Sequence, residues 1–352
     1  MTTSALALPR ARGLQLVWKL GWLPGLLLLL LAVVLLALTQ GKYPITLGQI
    51  GSLLAYRLGL SELPQLDQDN IQSVLLDIRL PRVAVALLVG SALASAGAAF
   101  QAIFRNPLVS PSLLGVQSGA ALGAALGMLL EFDWATIQLL AFALGLLAVA
   151  VAVGLANLFG RQSIITLILG GMISSALFAS LLAIIKYVAD PYSVLPSIVY
   201  WMMGNLSQAD GQQALLVGIP ILLCLLLLCL CGKLLDALAM GDDEARSLGV
   251  PVNRVRYGVI LLATLISAMT VSIAGIIGWI GIIVPHLVRM LLGPANRLVL
   301  PASALVGAIF LILADLISRL ITSGELPIGI VTELLGIPAF ILVLHKARKG
   351  WN

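Results

Sequence analysis

Leu20-Gly-Trp-Leu-Pro-Gly-Leu-Leu-Leu-Leu-Leu-Leu-Ala-Val-Val-Leu-Leu-Ala-Leu38 runs for 19 residues without a charge. A helix of that length, at ~1.5 Å per residue, reaches across the ~30 Å hydrocarbon core of a bilayer. Arg10, Arg12 and Lys19 precede it, a pattern that also opens secretory signals. The run exceeds the ~7–15 residues of a signal's apolar region and no clear small-x-small cleavage site follows, so it reads as a first membrane span. The rest of the chain agrees. Of 352 residues, 61% are hydrophobic and 10% are charged, against roughly 45–50% and about 25% in soluble domains. With 20 basic and 15 acidic side chains, there is too little polar surface to cover a water-soluble body of this size. The outside faces lipid, and the expected fold class is an all-α membrane protein.

Working outward from 20–38, polar punctuation divides the chain into further apolar runs at about 80–103, 113–130, 136–158, 164–187, 212–232, 257–274, 278–292, 299–320 and 328–345. That makes ten spans and leaves no room for a large soluble domain, so residues 1–352 read as one polytopic unit. Its parts are a tail at 1–19, a bundle at 20–345 and a tail at 346–352. Alternate connections differ in basic content. Placing the N-terminus inside puts Arg10, Arg12, Lys19, Arg105, Arg161, Lys233, Arg246, Arg254, Arg256, Arg289, Arg297, Lys346, Arg348 and Lys349 on the inner side. Lys42, Arg57, Arg79, Arg82, Lys186 and Arg319 fall outside. That asymmetry predicts cytoplasmic termini in a multi-pass membrane protein. The outer connections 40–79 and 188–211, the second carrying Tyr187, Tyr192, Tyr200 and Trp201, predict surface helices at the interface. The inner connection 233–256 is the most polar stretch of the chain.

Gly115, Gly119, Gly123 and Gly127 recur every fourth residue, a stripe that lets another helix approach closely inside a membrane. Gly275, Gly278 and Gly281 interrupt the start of the short eighth span and predict a break there. Enzymatic signatures are missing. There is no phosphate-binding loop, no H-E-x-x-H and no G-x-S-x-G, and His286 and His345 stand far apart. No catalytic residue and no metal ligand set is expected. Cys224, Cys229 and Cys231 lie in a leucine run and read as packing side chains. The net charge of +5 comes from basic residues scattered singly or in small terminal clusters, which does not suggest nucleic acid. Ionisable residues inside spans are Lys186, His286, Arg289, Asp315, Arg319 and Glu333. Each costs ~2.5–3.5 kcal/mol at a helix centre unless satisfied. Asp315 and Arg319 share a helix face and predict an intrahelical pair. His286 and Arg289 fall near the inner end of their span, where a structural role is expected. Glu333 has no partner in the sequence; it is read either as facing a path or as bonded to a neighbouring helix. A carrier driven by an ion gradient would show a longer relay of carboxylates, which suggests that energy comes from another protein.

Several motifs now stand in order: Ile78-Arg-Leu-Pro-Arg82; Gly90-Ser-Ala-Leu-Ala-Ser-Ala-Gly-Ala-Ala-Phe-Gln-Ala-Ile-Phe-Arg-Asn-Pro-Leu108; Leu114-Gly-Val-Gln-Ser-Gly-Ala-Ala-Leu-Gly123; Ser247-Leu-Gly-Val250; Gly278-Trp-Ile-Gly-Ile-Ile-Val-Pro-His-Leu-Val-Arg289; Leu300-Pro-Ala-Ser303; Leu313-Ala-Asp315; and Glu325-Leu-Pro-Ile-Gly-Ile-Val-Thr332. Over about 44–345 the chain resembles the permease subunits of ABC importers for iron-siderophores, haem and cobalamin. The resemblance implies a type II importer fold of ten spans, with spans 2–5 and 7–10 forming an inverted repeat. It also implies a second permease subunit, two cytoplasmic ATPase subunits that hold the ATP and magnesium, and a periplasmic or lipid-anchored substrate-binding protein. No cofactor is implied for this chain.

By the same resemblance, Gly241, Asp242, Asp243, Glu244, Ala245, Arg246, Ser247, Leu248, Gly249 and Val250 match the segment that docks into the ATPase. Arg79, Arg82 and Arg319 match outer arginines that meet acids on the binding protein. Ser163, Ile164, Ile165 and Thr166 match an inner gate. Met172, Ser174, Ser175, Thr332 and Glu333 lie on the spans that line the path. Relatives commonly carry a small or neutral residue where Glu333 stands. The implied cargo is a metal chelate, a ferric siderophore first, with haem, cobalamin or molybdate as alternatives within the family. A gradient-driven secondary carrier is the alternative of another class.

Overall fold

A computed structural model describes residues 10–60, 70–158, 163–322 and 324–349, with side chains from 21 to 341 within those limits. Residues 1–9, Arg161 and residues 350–352, all assigned above to the inner side, lie outside the described residues. The described chain is helical. In order its helices are α1 (Arg10–Thr39), α2 (Leu47–Arg57), α3 (Asn70–Phe104), α4 (Val116–Leu129), α5 (Trp134–Leu158), α6 (Ile164–Val188), α7 (Val194–Met202), α8 (Gly211–Leu230), α9 (Gly232–Met240), α10 (Asp242–Ser247), α11 (Val252–Ala274), α12 (Ile280–Leu292), α13 (Asn296–Leu320) and α14 (Ile328–Lys349). Among the described residues seven helices are long and apolar enough to cross a membrane, and α4, α12 and α14 supply three shorter apolar ones. Together they are the ten spans read from the sequence.

The second span differs from its expected bounds. Helix α3 begins at Asn70, ten residues ahead of the apolar run, and passes through a π-helical stretch at Ser73–Arg79. The polar stretch that looks like a connection continues the helix, with the Arg79 charge satisfied by carbonyls at the end of α1 and Asp77 exposed. The surface helices expected in the two outer connections are α2 and α7. Thr46 caps α2 reciprocally with Gln49, satisfying amides that have no partner within the first turn.

Helix α3 is the centre of the bundle, buried along most of its length. Glycine makes that possible. A Cβ placed on Gly90 would lie 2.3 Å from the Gly307 carbonyl oxygen of α13, and one on Gly97 would lie 1.9 Å from that of Gly281 in α12. Ser91 donates to the Ala304 carbonyl at 3.0 Å across the α3–α13 contact. Small residues and interhelical hydrogen bonds hold helices together where lipid removes most of the hydrophobic drive. The glycine stripe of α4 works in the same way, with Cβ positions on Gly119 and Gly123 falling 2.3 and 2.2 Å from carbonyl oxygens of α5.

The helices α3–α6 and α11–α14 repeat one order, in which a short second helix lies between a long first and a long third. Helices α4 and α12, of 14 and 13 residues, occupy equivalent places. Each is entered through a residue at positive φ, Gly115 at 88° and Trp279 at 68°. Helix α3 runs away from the end that carries α2 and α7, whereas α11 runs toward it and ends with Gly275 against Trp201 and Gly204. The two halves are therefore inverted with respect to each other.

Substituting Gly97→Leu is expected to remove at least ~3 kcal/mol, above the usual 1–3 kcal/mol of overpacking because the obstacle is backbone. Gly154→Ala, where nothing lies within 4 Å of the new Cβ, should leave thermal unfolding in detergent unchanged; equal behaviour of the two variants would contradict the crossing.

Candidate functional site

Charged side chains gather at the two ends of the bundle. At the α2/α7 end, Arg82 reaches Asp315 Oδ1 through Nε at 2.8 Å and Glu325 Oε2 through Nη1 at 2.8 Å. Arg319 lies 3.1 Å from the other Asp315 oxygen. Arg79 donates to the carbonyls of Leu38, at 2.6 Å, and Thr39, at 3.1 Å, and to that of Tyr43. Arg79, Arg82 and Arg319 are only 4%, 6% and 7% exposed, and Asp315 is 1% exposed. The acids that Arg82 and Arg319 meet thus belong to this chain. All three arginines expected to reach toward another protein are turned inward. The physical reason is cost, since a buried guanidinium without an acceptor is far more expensive than one paired within the fold. The Asp315–Arg319 pair was legible from its spacing of four. Arg82 and Glu325, which complete the network, were not read as its partners.

At the opposite end, α10 is a six-residue helix set off by Gly241 at φ 138° and Gly249 at φ 79°. Asp242 is its joint. One oxygen takes Arg256 at 2.7 Å and Arg105 at 2.9 Å, which ties the loop to α11 and to the end of α3. Burial by itself pushes the Asp242 carboxyl up, but the Arg256 hydrogen bond and the charges of Arg256, Arg105 and Arg246 outweigh it and hold the group below the usual carboxylate range. Ala245 is buried beneath the helix, and Val250 packs partly against the core. Asp243, Glu244, Arg246, Ser247, Leu248 and Gly249 face outward. Arg246 pairs with Asp243 at 2.9 Å on that exposed face.

Ser163, Ile164, Ile165 and Thr166 form the first turn of α6. The Ser163 hydroxyl accepts the Thr166 amide at 3.1 Å and the Thr166 hydroxyl accepts the Ser163 amide at 3.3 Å, while Ile165 is exposed. Of the five path candidates the structure exposes two, Met172 and Glu333. Ser175 is half-buried. Ser174 turns inward to the Ala148 carbonyl at 2.6 Å, and Thr332 to the Gly329 carbonyl at 2.9 Å. Exposed with Met172 along one face of α6 are Ile165, Leu169, Ile173, Leu177, Leu181 and Ile184. Glu333 makes no hydrogen bond or ion pair among the described residues, and its Oε1 lies 3.9 Å from the place a Cβ on Gly278 would take. The expected break is present there. Gly275 and Trp279 take positive φ and the segment between them is not helical.

Among the described residues no group of three or more His, Cys, Asp or Glu is placed to hold a metal ion, and the three cysteines are free. Inverted four-helix halves with broken short helices, an unpartnered acid on an open face and a small charged helix at one end define a polytopic permease. Residues 28–346 match the FecCD transport family, and the chain belongs to that family. It is similar to the molybdate import system permease protein MolB of Haemophilus influenzae, 37% identical over 93% of this chain and 96% of that one. It is also similar to the hemin transport system permease protein HmuU of Yersinia pestis, 36% identical over 80% and 86%. A solved structure described as an inward-facing conformation of a metal-chelate type ABC transporter matches with a TM-score of 0.82 at 36% identity, covering 93% of this chain and 99% of that one. The fold is that of a type II ABC importer permease.

Two variants test the joints. Replacing Asp315 with Asn should destabilise the bundle by ~3–5 kcal/mol, the cost of unpairing a buried charge. Glu325→Gln, at a side chain that is 33% exposed, should cost clearly less; equal losses in detergent unfolding would contradict the burial. Asp242→Asn should speed hydrogen exchange over 241–249 about tenfold, equivalent to ~1.4 kcal/mol, with the middle of α11 unaffected. In the parent, because the folded carboxyl titrates low, the joint should hold above the ordinary carboxylate range of about 3.9 and loosen as pH falls through and below it.

Proposed function

We propose that this chain is the membrane-spanning permease of an ATP-driven importer for a metal chelate, a ferric siderophore first, working by alternating access. The observation that carries the reading is Glu333. An exposed carboxylate on a membrane helix cannot face lipid at ~2.5–3.5 kcal/mol. It faces water or protein, so the open side of α14, with that of α6, borders a path closed by a second permease subunit. Met172 and Glu333 line that path. The capped turn at Ser163–Thr166 is the inner gate, since it fixes where α6 begins.

The exposed face of α10 suits a cleft in a cytoplasmic ATPase, with Leu248 as an apolar anchor among Asp243, Glu244 and Arg246. Asp242 carries movement from that face into α3 and α11. Nucleotide and magnesium chemistry reside in two such partner subunits. This chain hydrolyses nothing. The basic asymmetry of the connections supports cytoplasmic termini in a bacterial inner membrane. A substrate-binding protein docks on the opposite rim, which Arg79, Arg82 and Arg319 stiffen from beneath rather than contact.

The exposed face of α6 is apolar over 165–177 and the exposed charge of α14 among the described side chains is the acid Glu333, which favours metal in an organic shell over a bare oxyanion. Molybdate is the second reading, favoured by the 93% and 96% coverage shared with MolB. Purified permease with its ATPase and binding protein in liposomes decides between them. ATP-dependent uptake of iron-loaded siderophore, unaffected by dissipating ion gradients, is expected. Leu248→Asp should reduce uptake at least tenfold and release the ATPase on gel filtration. Uptake driven by a gradient alone would overturn the reading, and uptake of molybdate but not of the iron chelate would replace the cargo.

A further inference from the structure

Beside the Asp242 joint, a cavity of about 290 Å³ opens between the end of α3, the end of α9, α12 and the start of α13. Its polar wall is Gln101, Arg105, Asn106, Arg289 and Asn296, with no acid in the lining. The decisive residue is Arg289. Its half-buried guanidinium donates to Gln101 Oε1 and, at 3.1 Å, to the Ala98 carbonyl, and lies 3.5 Å from Asn296 Oδ1. All three acceptors are neutral. Among the described residues no carboxylate pairs with Arg289. The acids nearby are already engaged, Asp242 by Arg105 and Arg256 and Asp236 by the Asn296 amide at 2.6 Å. This corner therefore sets three arginines against two carboxylates.

Neutral dipoles satisfy the geometry of a guanidinium but leave its charge uncompensated, and partial burial raises what a counter-charge would gain. Donors remain to receive one. Asn106 uses its oxygen to accept the Leu108 amide at 2.9 Å, leaving its NH₂ free, and Asn296 points its oxygen toward Arg289 in the same way. We infer that this cavity is an oxyanion site that takes a phosphate-type group on the remaining N–H groups of Arg289 and the two amide groups. Arginine presents paired donors that match phosphate oxygens, and basic pockets between helix ends at the loop side of a bundle suit phospholipid headgroups. A headgroup of the adjacent leaflet and a free phosphate share this chemistry.

The test uses the full-length protein in neutral detergent. Thermal unfolding is followed during titration with phosphatidylglycerol, with phosphatidylcholine, with inorganic phosphate and with chloride at matched ionic strength. Stabilisation by phosphatidylglycerol but not phosphatidylcholine or phosphate assigns a lipid headgroup; stabilisation by phosphate above chloride assigns a free anion. In either case Arg289→Gln should weaken apparent affinity at least tenfold. Asn106→Ala, at an exposed rim position whose side chain makes no bond to Arg289, should weaken it about threefold. The inference is overturned if chloride reproduces the shift, if no probe stabilises the protein, or if both variants bind as the parent does.

Discussion

Direct backbone contact at Gly90–Gly307 and Gly97–Gly281 is the constraint on which the bundle depends. Lipid tails are as apolar as leucine, so helices gain little by leaving them for one another, and association rests on close packing and hydrogen bonds. The interface of α3 with α13 and α12 meets both needs, with glycines that admit carbonyl oxygens to within a side chain's radius and Ser91 bonded across the contact. Because α3 is enclosed by α11, α12 and α13 of the other half together with α1, α8 and α9, its position fixes α13 and α12, and through them the break at 275–279 and the start of α14.

Once α3 is enclosed, its charges must be satisfied inside. Arg79 and Arg82 lie in its first turns, and burial leaves them only the carbonyls at the end of α1 and the acids of α13 and of the connection before α14. The network is thus a consequence of packing as well as a support for it. A buried ion pair contributes little over an apolar equivalent, but it penalises every arrangement that separates its members. Arg82 holds α13 and the α13–α14 connection in one register, which is the stiffness a rim needs if α14 borders a moving path.

Much of this was legible in the sequence. The ten runs of apolar residues marked the spans, because a bilayer enforces length and composition more strictly than water does. The glycine stripe marked a contact, and spacing marked Asp315 with Arg319. What periodicity could not reach was pairing across helices. Arg82 and Asp315 are 233 positions apart, and a lone arginine beside an apolar run reads as a connection facing water. The same limit hid the first ten residues of α3. It also hid the burial of Arg79, Arg82 and Arg319, since the motif that carries them is the same whether the guanidinium points in or out. Ser174 and Thr332 turn inward for a related reason. A hydroxyl on a path-lining helix can bond to a carbonyl within the bundle, and both do.

Charges that fold the protein and charges left for other tasks can now be separated by their partners. Arg79, Arg82, Arg319, Asp315 and Glu325 of the α2/α7 end are answered within the chain. Asp242 is answered too, but by Arg256 of α11 and Arg105 at the end of α3, so it ties the loop to both. Asp243, Glu244 and Arg246 are held at the surface by a helix too short to persist without that joint, which makes their exposure a feature of the fold. Glu333 and Arg289 have no opposite charge paired to them among the described residues, one on the open face of α14 and one beside a cavity at the α10 end. In a chain with so few charges, an uncompensated one at a membrane helix is costly to keep, and the fold keeps both where water or a ligand can reach them.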